Sequence, residues 1–130
     1  MTEFTLYNLE TASAEAKPLL QNALAAFGMI PNLTATMAES PEALEGYQKL
    51  HELFQQTSLT NVERHVVWLA INVEHNCGYC VPAHTMIAKM QGVDDATIEA
   101  LRNAAPLADA KLEALRTFTL KVLRTRGTVS

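Results

Sequence analysis

Aromatic residues make up only 6% of this chain, and its ten Lys and Arg are scattered except for Lys121, Arg124 and Arg126 near the C-terminus. A phosphate-binding surface needs a broad basic patch with interleaved aromatics, so nucleic acid is not expected as a partner. No apolar run reaches the ~20 residues of a membrane crossing, and no period of 20–50 residues or low-complexity tract is present. The first residues, Met1 to Phe4, show neither the basic start nor the apolar stretch of a secretory signal, and a cytoplasmic location is the expectation. What remains is a balanced globular composition over 130 residues, 48% hydrophobic and 18% charged, with a net charge of -4. One domain spanning 1–130 is expected.

Cysteine is scarce as well, and its placement is informative. The two cysteines stand together in Glu74-His75-Asn76-Cys77-Gly78-Tyr79-Cys80-Val81-Pro82-Ala83-His84-Thr85, which also holds two of the four histidines. These side chains can act as nucleophile, proton carrier or metal ligand near neutral pH. In a helix, at about 100° per residue, Cys77, Cys80 and His84 fall on one narrow face. Proline is tolerated in a first helical turn, so Pro82 predicts a helix starting between Cys77 and Tyr79, with both thiols near its N-terminus. There the unpaired amides favour thiolate over thiol. A structural zinc would need a fourth ligand, and no second C-x-x-C or H-x-x-x-H pair supplies one. A structural disulfide over so short a loop would constrain the unfolded chain little. Redox or nucleophilic work fits the spacing, with these two as the alternatives.

The rest of the chain reads as helices. Leu19, Leu20, Ala23, Leu24 and Phe27 keep helical spacing from about Ala16, and Gly28 ends the run. The first dozen residues read as an extended arm, and Asn32 is a candidate cap for a short helix through Glu39. Ser40-Pro41 opens a third helix with Leu44, Tyr47, Leu50, Leu53 and Phe54 as its buried stripe and His51 as a structural histidine beside it. Thr60-Asn61-Val62-Glu63 is a capping box, and the helix after it, Val62 to Val73, is apolar on every side. His65 and Asn72 share one stripe of that helix, and an antiparallel hairpin with the cysteine helix would bring one of them towards His84. Gly92 stops the cysteine helix and Asp94 caps a run to Asn103. Asp109 then caps a last helix whose inward residues are Leu112, Leu115, Phe118 or Thr119, and Val122. The fold class is all-α, with six or seven helices, which excludes a thioredoxin fold for the C-x-x-C.

Gly28-Met29-Ile30-Pro31-Asn32, Ser40-Pro41, Leu59-Thr60-x-x-Glu63-Arg64 and Cys77-x-x-Cys80-x-x-x-His84-Thr85 followed by Gly92 resemble the carboxymuconolactone decarboxylase superfamily, in particular its alkylhydroperoxidase D-like branch. The resemblance runs from about residue 16 to the end. It implies a helical domain that assembles into trimers or hexamers and a thiol peroxidase or disulfide reductase site. Cys80 would attack the peroxide bond of a hydroperoxide, Cys77 would resolve the sulfenic acid, and His84 would relay protons. A lipoyl-protein or other dithiol would return electrons, a peroxiredoxin would be a possible recipient, and no metal or organic cofactor is implied. The family glutamate twelve residues before the first cysteine is replaced here by His65, which joins the relay by position; Glu63 and Glu74 point about 160–180° away from it. Tyr79 stands where alkylhydroperoxidase D has a histidine. The alternatives are a non-catalytic redox sensor and a cofactor-free decarboxylase of the same superfamily.

Overall fold

The computed structural model describes residues 3–130. Every regular element among them is helical: α1 Lys17–Phe27, α2 Asn32–Met37, α3 Pro41–Gln55, α4 Asn61–Glu74, α5 Cys80–Met90, α6 Asp95–Arg102 and α7 Ala110–Arg124. The all-α expectation and the helix count hold. The chain forms two compact units that divide between Gln56 and Thr57.

In the first unit, Gly28 closes α1 in the left-handed conformation at φ 72°, its amide bonded to the Leu24 carbonyl. Residues 3–8 carry no regular structure, as expected of the arm, although the Tyr7 amide is tied to the Ala35 carbonyl. Residues 9–12 depart from the expected extended arm and turn, the Ala12 amide bonding to the Asn8 carbonyl; Met1 and Thr2 lie outside the described residues. Asn32 does not cap α2. Pro31 is the extended residue before the helix, its carbonyl already accepting from Ala35, and Asn32 is the first helical residue. The Ser40 hydroxyl caps α3 as the sequence predicts, accepting from the Ala43 amide.

The apolar stripe of α3 is a correction. Leu44 is buried with Ala12, Ala16, Leu20 and Ala38, but Tyr47, Leu50 and Leu53 are exposed, Leu50 at 70%. The helix is turned about its axis: its inward face runs Leu44, Gln48 and His51, with the Gln48 amide donating to the Leu19 carbonyl of α1 at 2.9 Å, and Phe54 at the far end is half-buried as expected. His51 is half-buried, and burial lowers its pKa.

The second unit is built around α4, on which α5, α6 and α7 all pack. Its start is the capping box, with Thr60 Oγ1 accepting from the Glu63 amide and the Glu63 carboxylate accepting from the Thr60 amide. Such a cap contributes about 1 kcal/mol. None of Asn61 to Val73 is exposed, as expected of a helix apolar all round. Val66 and Leu69 enter a core with Ala88, Val93, Ile98, Leu101 and Leu107. Thr119 rather than Phe118 is the inward residue of α7; it is buried and its hydroxyl donates to the Leu115 carbonyl, while Phe118 is exposed. That core face leaves the neighbouring stripe of α4, with His65, Trp68 and Asn72, for the site.

Candidate functional site

The turn from α4 into α5 sets the position of the first cysteine. Asn76 takes the left-handed conformation at φ 50°, its amide bonded to the Val73 carbonyl and the Cys77 amide to the Asn72 carbonyl. This is the paired-bond ending of a helix that usually employs glycine, and asparagine is the residue that tolerates it next best. Cys77 therefore lies just past α4. Cys80 is the first residue of α5, so the helix starts at the second cysteine and not between Cys77 and Tyr79. Pro82 sits in the first turn, where its missing N–H leaves no bond broken.

Cys77 and Cys80 are joined as a disulfide with their Cα atoms 5.2 Å apart. Both are half-buried, between the exposed Gly78 and Tyr79 on one side and α5 on the other. Of the amides in the opening turn of α5, that of Val81 is bonded to the Cys77 carbonyl and that of Ala83 to the Tyr79 carbonyl, and Pro82 has none. The Cys80 amide is turned to the Cys77 sulfur, 3.1 Å away. The favourable end of the helix thus acts on Cys77 in particular.

His84 follows Cys80 by one turn on α5 and is half-buried. Its ring packs on Trp68 of α4 at a centroid distance of 5.3 Å, and Trp68 in turn meets His65 edge-on at 5.2 Å. Three rings therefore run in a row along the seam of the hairpin, with the indole in contact with both imidazoles. His65 is fully buried. Its Nε2 lies 2.8 Å from the side-chain oxygen of Gln91, and its Nδ1 is buried with no hydrogen-bond partner. Burial pushes the His65 imidazole below its usual pKa; the Gln91 bond opposes this and the Arg64 charge adds to it. Asn72 gives its carbonyl to the Cys77 amide, and its side-chain nitrogen is buried without a partner.

Of the expected residues, Cys77 is bonded to Cys80, His84 follows Cys80 by one helical turn, and His65 and His84 pack on opposite sides of one link, Trp68. Trp68 carries the last of these links and Gln91 holds His65 from outside the group; the sequence reading gave neither a catalytic role. The lone tryptophan lies on the stripe of His65 and Asn72, a signal that was there to use. Gln91 follows only once the hairpin register is known.

Among the described residues no group of three or more His, Cys, Asp and Glu could hold a metal. A cleft of about 550 Å³ opens elsewhere on the second unit, with Ala70, Leu101, Arg116 and Arg124 in its wall and none of the cysteine-site residues. Both arginines already hold carboxylates through two bonds each, Arg116 that of Glu113 and Arg124 that of Glu74.

The family question is decided by a model of the carboxymuconolactone decarboxylase family, which matches residues 41–120. The chain belongs to this family. The match takes in α3 to α6 and most of α7, so both cysteines, His84, His65 and Trp68 lie on the family's segment. No curated protein matches significantly. Among solved structures, the fold is similar to that of an uncharacterized peroxidase-related protein from Silicibacter sp. TM1040, with a TM-score of 0.77 and 23% sequence identity, covering 99% of this chain and 71% of that one. At that identity the likeness shows the fold, and it agrees with the alkylhydroperoxidase D-like architecture expected of a carboxymuconolactone decarboxylase family member.

Proposed function

We propose that this protein is a thiol-dependent hydroperoxide reductase that cycles through the Cys77–Cys80 disulfide. The observation that carries the reading is the redox pair at the start of α5 with an imidazole one turn beyond it. Family membership and a peroxidase-related structural neighbour support it.

In the reduced enzyme the Cys80 thiolate attacks the terminal peroxide oxygen, forming a sulfenic acid and releasing an alkoxide that takes up a proton as the alcohol. Cys77 then attacks the Cys80 sulfur. The disulfide forms, and hydroxide leaves and is protonated to water. His84 supplies these protons after taking them up from the two thiols, and His65, in the relay position of the family pattern, stands behind it as the second imidazole, on the far side of Trp68. The Cys80 amide favours thiolate at Cys77, which suits it as resolving nucleophile. An external dithiol, such as a lipoyl group, restores two thiols and becomes a disulfide itself, so that hydroperoxide and dithiol yield alcohol, water and oxidised dithiol. A cytoplasmic setting, where dithiol pools are reduced, fits this cycle.

The test is turnover of an alkyl hydroperoxide with dihydrolipoamide as donor. The parent should consume peroxide continuously, and Cys80→Ser should fall to the uncatalysed rate. Equal rates in the two would contradict the reading.

A further inference from the structure

Gln91 is exposed, yet it is held at both of its carbonyls by the first turns of α4. Its backbone oxygen accepts from Asn61 Nδ2 at 3.1 Å, and its side-chain oxygen lies 2.8 Å from His65 Nε2. Asn61 and His65 are four residues apart and so lie one above the other on one helix face. Gln91 is also the residue that closes α5, so its backbone is fixed by a helix end as well as by Asn61. The backbone of Gln91 is thereby placed so that its side chain reaches His65.

An amide oxygen accepts and never donates, so the proton between the two side chains belongs to His65 Nε2. In a neutral imidazole the other nitrogen, Nδ1, is then the base. We propose that Gln91 is a positioning residue: it locks His65 in the Nε2–H tautomer and keeps Nδ1 as the basic nitrogen of the ring that packs on Trp68 and, through it, on His84. Gln91 touches no reacting atom. It acts through His65, and the inference rests on the reading of His65 as a member of the proton relay.

The Gln91 bond also satisfies one polar atom of this fully buried histidine from the surface and leaves Nδ1 as the unpartnered one. A carboxylate at position 91 would do something different, since it would stabilise the imidazolium form.

The experiment uses the full chain and three proteins: the parent, Gln91→Met, which keeps the size and helix preference but cannot accept, and Gln91→Glu, which restores an acceptor. The imidazole ¹⁵N shifts of His65 give the tautomer directly, and loss of free thiols with an alkyl hydroperoxide gives the rate. The parent should show Nε2–H alone. Gln91→Met should show both tautomers with unaltered helical content, and its thiol oxidation should slow on the order of tenfold; Gln91→Glu should return a proton to Nε2 and, unlike the parent, enlarge the imidazolium fraction, which the ¹⁵N shifts distinguish from either neutral tautomer. An Nδ1–H parent, an unaltered tautomer in Gln91→Met, or an altered tautomer with an unaltered rate would each overturn the proposal. If the parent's thiols do not react with hydroperoxide at all, the peroxidase reading fails and the relay role of Gln91 falls with it; the ¹⁵N shifts then show separately whether Gln91 holds His65.

Discussion

Two cysteines three residues apart occupy different environments here, and that difference assigns their chemistry. Cys77 lies past the end of α4 and receives the Cys80 amide; Cys80 begins α5 and has His84 one turn on. When a thiol opens a disulfide, the sulfur that is better stabilised as thiolate leaves. A thiol reductant should therefore bond to Cys80 and expel Cys77. The check is to treat the oxidised protein with glutathione, quench and alkylate, and cut with chymotrypsin after Tyr79, which separates the two cysteines. The adduct is expected on the Cys80 peptide; an adduct on Cys77, or equal amounts on both, contradicts the assignment. At this scale the sequence was legible for the cysteines and His84, because spacing alone puts Cys80 and His84 on one face. The conformation of Cys77 was not, because it depends on Asn76 adopting positive φ, which competes with simple extension of the helix through Cys77.

The elements were read well where a local signal marks their ends. Ser40, Thr60, Asp94 and Asp109 each cap the helix expected of them, since a cap involves only residues three apart. The register of α4 against α5 was also within reach: Trp68 and His84 stand equally far from Asn76, as do Asn61 and Gln91. Burial along α3 was not legible, because the inward face carries the polar Gln48 and His51, and which face α1 meets is set by packing and not by the apolar spacing. One tie between elements is titratable. Glu63, in the first turn of α4, pairs at 2.6 Å with Lys111 in the first turn of α7. That bond, with the Thr60 amide, lowers its pKa from 4.5 to about 2. A lowered carboxylate pKa adds stability above the unfolded value of 4.5 that is lost as pH falls towards 2. Glu63→Gln keeps the capping box and removes the charge. The melting temperature of the parent should exceed that of Glu63→Gln above about pH 5, and the gap should close on acidification; a gap that stays constant to pH 2.5 would rule out the ion pair as its source.

For the whole molecule, the exposed stripe of α3 joins a sequence expectation to a physical need. Tyr47, Leu50 and Leu53 on one helix are apolar surface that a second copy of the chain could cover, and we propose assembly into a trimer or hexamer on this support. Light scattering should give one of these masses with and without reductant, and Leu50→Glu should give a smaller one. A mass that changes with reductant would favour the redox-sensor alternative. The central claim, however, is that Cys80 takes oxygen from a hydroperoxide and Cys77 closes the disulfide. Its most direct measurement is the time course of free thiols after the fully reduced protein meets one equivalent of an alkyl hydroperoxide, in the parent and in Cys80→Ser. Rapid loss of both thiols in the parent and slow loss in the variant is the predicted result; parent thiols that survive as long as an ordinary exposed cysteine would contradict it.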